Sequence, residues 1–355
     1  MNPAAEPLAS PADGGPPSKA PLLQAAGTVA VVILGGLFVW ANRGEIPAAW
    51  RSVRHADLVF LGLALACTAL WLLNLALFHL AAYRAVGLDL PFRDMVWLTA
   101  GSSFVNMVAK SGGMGGMALF IQDAGRRRQS RGRVITSYLL AGQLGHLAYG
   151  LTLVAALAVV WADGQLTTAD VVASIVFAGY ALGQAAVFVA GVRSRTALRG
   201  LHELPARVKV RILGWLGRPQ PPHQSDHEAA DELYEAIRLV VRQPSGALVP
   251  AVHALLVEVL GIATIWAVLA AFGERTGVQV PLVAYAVSVL FSIIGFLPAG
   301  LGFAEASLGA TFTSYGIAGP TAAVAVITYR LFEVWIPFAV GGFAAQRLAR
   351  RKAPK

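Results

Sequence analysis

The sequence predicts an all-α fold, a polytopic membrane helix bundle of about six full spans plus two re-entrant broken-helix hairpins in a weak inverted repeat. Three observations carry this expectation. Of 355 residues, 56% are apolar and only 13% charged, with a mean hydropathy of +0.62, whereas soluble domains carry roughly a quarter charged residues. The apolar residues fall in runs of roughly 20 or more, the length that crosses a hydrocarbon core of about 30 Å. Two of the apolar regions are cut in the middle by Gly and Pro.

Residues 1–21 are dominated by Pro, Ala, Gly and Ser and are expected to form a disordered tail. The stretch from Leu22 to Ala41 is too long, and too far from a basic leader, for a cleavable signal, so it reads as the first span. Further full-length spans are expected from Leu58 to Tyr83, Val134 to Trp161, Val171 to Val192, Ala247 to Phe272 and Pro320 to Ala345. The interrupted regions run from Met95 to Gln122, around Lys110-Ser-Gly-Gly-Met-Gly-Gly116, and from Leu282 to Tyr315, around Leu297-Pro-Ala-Gly-Leu-Gly302. Each reads as two short helices joined by a glycine turn. Aligned on Phe104 and Phe291, they set Gly113-Met-Gly115 against Gly300-Leu-Gly302, a weak repeat at an offset of 187 residues.

The positive balance of +9 follows this layout better than it follows a nucleic-acid surface. Three connecting or terminal segments, Lys110 to Arg133, Arg193 to Arg242 and Arg347 to Lys355, hold 20 of the 28 Lys and Arg. Basic segments stay in the cytoplasm. Both termini are therefore expected inside a cell inner (plasma) membrane, and nucleic acid is not expected as a partner. One connector departs from this scheme: the loop from Asn42 to Asp57, with Arg43, Arg51 and Arg54, falls outside. The first hairpin then enters from the cytoplasm and the second from the opposite side, the geometry of inverted-repeat transporters. The domain covers residues 22–347, with a cytoplasmic loop at 193–246 and a basic tail at 348–355. Within that loop, Ser225-Asp-His-Glu228 reads as a capping box before an amphipathic helix, and the basic first half suits an anionic leaflet or a protein partner.

Ionisable groups inside apolar runs are rare because each costs roughly 2.5–3.5 kcal/mol to insert. Arg330 lies near the middle of the last expected span, with Glu333 three residues on and Glu305 just after the second glycine turn. Two readings stay open: a structural ion pair, or a site for an anionic headgroup. Glu305 can cap the restarting helix, or it can orient the arginine while the N–H groups behind Gly300 and Gly302 take a phosphate or carboxylate. Lys110 would add positive charge from the first turn. Glu258, mid-span with His253 five residues earlier, is a candidate proton relay or a hydrogen-bonded structural carboxyl. His79, His146 and Gln143 read as packing residues, and Cys67 as a small buried side chain.

No catalytic set, metal site or cofactor is expected. His227-Glu-Ala-Ala-Asp231 lacks the second histidine of a zinc protease motif, the glycine turns follow no strand, and no Gly-x-Ser-x-Gly elbow occurs.

The run Phe296-Leu-Pro-Ala-Gly-Leu-Gly-Phe-Ala-Glu305, then Tyr315-Gly316, Tyr329-Arg330, Trp335-Ile-Pro337 and Gly341-Gly342, resembles the transmembrane region of the lysylphosphatidylglycerol synthase and flippase family. The first half resembles it in layout, with Arg84 and the glycine turn near residue 113. It departs from the family at that turn, which lacks the usual Pro and Glu. Lysyl-lipid-making relatives carry a soluble aminoacyltransferase domain after this region. Since the sequence stops at Lys355, the resemblance implies a stand-alone flippase-like membrane protein.

The function expected from all this is binding an anionic or polyprenyl-type lipid and translocating it between leaflets, with Glu305 and Arg330 central and Lys110, Glu333, Gly300 and Gly302 supporting. The partners would be membrane lipids, and the sequence leaves the oligomeric state open. The alternative is an accessory subunit of a glycosyl or aminoacyl lipid transferase, docked through the basic cytoplasmic loop.

Overall fold

The computed structural model describes residues 56–109, 113–164, 244–294 and 298–350, with isolated positions at 171–182 and at 234, 238 and 242. The expected span from 22 to 41, most of that from 171 to 192, the basic loop with its capping box, Lys110 and the extreme tail lie outside the described residues. Among the described residues the regular structure is helical and holds no strand.

Helix α1 (Leu58–Ala85) starts where the Asp57 carboxylate accepts a hydrogen bond from the Val59 amide at 2.8 Å, satisfying one of the donors a helix leaves open. It is followed by α2 (Phe92–Ala109) and α3 (Met114–Arg127). Helix α4 (Arg131–Ala162) is capped by Ser130, which accepts from the Arg133 amide. After a short 3-10 turn at Pro244–Ala247 come α5 (Leu248–Ala271), α6 (Gln279–Ile294) and α7 (Phe303–Ser314). The last run is α8 (Gly319–Arg330), a π-helical turn at Leu331–Trp335 and α9 (Ile336–Arg350).

Four runs are long and apolar enough to cross a membrane: Leu58–Ala85, Arg131–Ala162, Pro244–Ala271 and Gly319–Arg350. They match four of the six expected spans. Exposed leucines along α1, among them Leu63, Leu65, Leu70 and Leu73, suit hydrocarbon contact. The arms of the two hairpins have 18, 14, 16 and 12 residues, so at 1.5 Å per residue each is about 18–27 Å long. None reaches the roughly 30 Å of a hydrocarbon core, and each pair folds back on itself.

The halves are related by inversion. α1 and α5, the opening helices of the two repeats, pack antiparallel along their length. The Asp57 amide donates to the Ala271 carbonyl at 2.8 Å at the end of α5, and near the start of α5 Asn74 pairs with His253 through both its carbonyl oxygen and its amide. Each half also lends its closing run to the other: α9 packs on α2, and α4 on α6. Two cores follow the same exchange. One joins Tyr149, Leu153 and Val160 of α4 to Val283 and Leu290 of α6, and the other joins Tyr83, Met95, Phe120 and Val134 to Leu348 of α9.

The hairpin mouths lie on opposite sides. The first is fastened by Arg127, which donates to Asp94 at 2.8 Å and to Asp123 at 2.7 Å, while Arg126 donates to the Leu348 carbonyl near the end of α9. The second lies at the far end of α4, where the Tyr315 hydroxyl donates to Asp163 at 3.1 Å. The tip of the second hairpin, Pro298–Gly300, touches α2 of the first.

Two details differ from the sequence reading. Gly113 and Gly302, with φ of 92° and 85°, are the equivalent residues, each preceding the first turn of the restarted helix. The structural offset at these restarts is therefore 189 residues, whereas the starts of α2 and α6 and the ends of α3 and α7 keep the expected 187. The last span is also not uniformly α-helical. Pro337 offers no N–H and its ring crowds the carbonyl four residues back, and the wider π turn just before it absorbs the misfit.

Candidate functional site

The second glycine turn is built from backbone conformations that few residues adopt. Ala299, Gly300 and Gly302 have φ of 54°, 65° and 85°. Only glycine fits at 300, since a Cβ there would run into the backbone of Ser292. Beyond the turn, the Glu305 carboxylate accepts the Gly302 amide at 2.7 Å and caps α7.

Arg330 reaches into this turn from the end of α8. Its Nε donates to Glu305 Oε1 at 2.8 Å, its Nη1 to Glu333 Oε2 at 2.9 Å and its Nη2 to the Ala299 carbonyl at 2.6 Å. The arginine side chain is 1% exposed, Glu305 14% and Glu333 24%. With all three ionised the cluster carries one net negative charge. Of its charged atoms the carboxylate oxygens lie nearest the surface, while the guanidinium is enclosed.

Five of the expected site residues, Glu305, Arg330, Glu333, Gly300 and Gly302, thus meet at one point. Their roles differ from the expectation of an open anion site. Glu305 both caps α7 and pairs with Arg330, and the guanidinium is already engaged by two carboxylates and a carbonyl. The helix start, moreover, is partly satisfied by Glu305 itself. Lys110 lies outside the described residues. Glu258 sits apart on α5, 6% exposed, against Thr152 and Tyr285.

The sequence reading missed the Ala299 carbonyl, because a left-handed alanine has no sequence signature. It also missed the partners of the first hairpin. There the Gly116 amide donates to Asn106 at 2.7 Å, and Asn106 donates to the Tyr138 hydroxyl at 2.9 Å. Gly116, at the structural offset the counterpart of Glu305, leaves no room for a Cβ against Ser102, Asn106 and Tyr138. Among the described residues, the restart of α3 is thus held by the neutral Asn106 where that of α7 is held by the Glu305 carboxylate. The asparagine was a visible intramembrane amide whose spacing to the turn could have marked it.

A groove of about 440 Å³ runs between α4, α6 and α7. Its wall is apolar, with Leu153, Leu157, Val287 and Phe291, and α7 adds Ser307 and Thr311. It lies beside the helix that carries Glu305. No group of His, Cys, Asp and Glu among the described residues could hold a metal ion.

No curated protein matches the chain. A family model described as lysylphosphatidylglycerol synthase TM region matches residues 27–341.

Proposed function

Because this chain belongs to the lysylphosphatidylglycerol synthase TM region family, a family of multi-pass membrane proteins related to lipid handling, we propose that it binds a membrane lipid where the two hairpins meet and carries it between leaflets. The observation that supports this best is the Arg330 cluster. An ionic group is held inside the bundle, at the tip of a broken helix that enters from one side and touches the hairpin entering from the other. Membrane proteins keep charges at such depth chiefly along substrate pathways.

The headgroup this geometry favours is one that brings positive charge. A phosphate would have to displace a carboxylate to reach Arg330, whereas an ammonium meets Glu333 and Glu305 directly. That shifts the preference from the anionic or polyprenyl-type lipid expected from sequence toward an amino-bearing phospholipid, its tails in the groove beside α7. By the positive-inside rule the side holding Arg126, Arg127, Arg131 and Arg347 is cytoplasmic. The membrane is the cell inner membrane, and rocking of one half against the other would alternate access to the cluster.

Proteoliposomes containing labelled ammonium-bearing or uncharged-headgroup lipids provide the test. Wild type should speed transbilayer movement of the ammonium-bearing lipid. Glu333→Gln should slow it by at least about tenfold, the equivalent of losing one charge-assisted hydrogen bond of about 1.5 kcal/mol. Equal rates for wild type, Arg330→Ala and Glu333→Gln would remove the proposal. A preference for anionic over ammonium-bearing lipid would restore the anion reading.

A further inference from the structure

Among the described residues Glu258 is a further buried carboxyl in the membrane bundle, and the Arg330 cluster does not use it. It is more than nine-tenths buried in α5, and its Oε2 has no hydrogen-bond partner among the described residues. The groups that face it are uncharged hydroxyls. Thr152 and Tyr149 come from α4, Tyr285 from α6 and Tyr329 from α8. On α1 the antiparallel Asn74 to His253 register brings the uncharged Thr68 and Cys67 to about the same level. A carboxyl whose charge nothing nearby compensates is costly in such surroundings, and a proton is the smallest ligand that removes the charge.

A row of polar side chains runs from this carboxyl toward the site. On α6, Tyr285, Ser288 and Ser292 fall at i, i+3 and i+7, one face of the helix. Ser288 is fully buried, with its hydroxyl unpartnered among the described residues. Ser292 ends the face against Gly300, next to the carbonyl that Arg330 holds. From the other flank, Tyr285 and Tyr329 interact with both Glu258 and Glu333. Close packing supports the arrangement, since a Cβ at Gly261 would collide with the Tyr285 ring.

We propose that Glu258 is a proton-binding site, linked through Tyr285, Ser288 and Tyr329 to the Arg330 cluster, so that proton occupancy at Glu258 and headgroup occupancy at Glu333 and Glu305 influence each other. The proton binds at Oε2 and is exchanged along the hydroxyl path, with no covalent bond to carbon made or broken. This rests on the lipid-carrying reading only for its transport consequence: a gradient of protons would drive or bias lipid movement.

Two measurements on the purified full chain test it. In lipid nanodiscs, infrared difference spectra across pH should contain a titrating carboxylic-acid carbonyl band that Glu258→Gln removes and Glu333→Gln shifts in midpoint. A wild-type spectrum without that band, or a band indifferent to Glu333→Gln, overturns the proposal whatever the transport result. In proteoliposomes, an imposed pH gradient should change the wild-type transport rate several-fold, and Glu258→Gln should abolish that response while ungraded transport persists. Tyr285→Phe, which keeps the ring and the packing, should weaken the response without removing the band. Transport that ignores the gradient in wild type sinks the coupling and leaves the lipid reading standing. Absence of transport in every protein sinks the lipid reading, and the infrared band then decides the proton site alone.

Discussion

Arg330 joins three parts of the chain that are far apart in sequence: a carbonyl in a left-handed turn, the cap of α7 and the first turn after α8. Removing one partner leaves a buried charge short of compensation, which costs about 3–5 kcal/mol when no other partner remains. Glu305→Gln should cost less than that, because Glu333 stays and glutamine can still cap α7. Thermal unfolding in detergent should therefore rank Arg330→Ala, which strands two carboxylates, as more damaging than Glu305→Gln. The turn allows a sharper comparison. Gly302→Ala meets open space and should lose only the left-handed penalty of about 1–2 kcal/mol. Gly300→Ala must also push Ser292 away and should lose clearly more. Much of this was legible in advance, since an arginine in an apolar run with glutamates three residues on and behind a glycine turn stands out by its insertion cost. What stayed hidden has physical reasons: a backbone carbonyl has no letter of its own, and a tyrosine such as Tyr285 or Tyr329 inside a span reads as packing until its neighbours are known.

At the level of helices, apolar length and the breaks within it placed four long runs and both hairpins correctly, because hydrocarbon thickness imposes a length that composition reveals. The expected register of 187 residues holds at the starts of α2 and α6 and at the ends of α3 and α7, while the helix restarts sit 189 apart, a local shift that matching phenylalanines cannot measure. The π turn before Pro337 was likewise invisible, as proline announces a misfit but not its remedy. The crossing of α9 over α2 depends on Gly341, where a Cβ would come within 2.6 Å of the Ala100 carbonyl oxygen. Gly341→Ala should therefore cost about 1–3 kcal/mol by overpacking, lowering the unfolding temperature in detergent, whereas the same change at Gly309, with nothing nearby, should leave it unchanged.

For the whole molecule, the inversion rests on α1 and α5 running in opposite directions, and that can be tested without any lipid. With Cys67 replaced by serine, the pair Asn74→Cys and His253→Cys should form an intramolecular crosslink under mild oxidation, since the native side chains already touch at 2.6 Å. Asn74→Cys paired instead with a cysteine at Leu269, near the opposite end of α5, should not. The exchange of closing helices also carries a consequence for synthesis. The first hairpin emerges early, but its cover, α9, follows every other described helix in the chain. Until then α2 waits with Gly101 and Ala100 facing an empty berth, and the nascent protein must be shielded by lipid or by the insertion machinery for the whole time between. A helix made late thus completes a hairpin made early, so termination within α9 should leave the first hairpin inserted but unsealed.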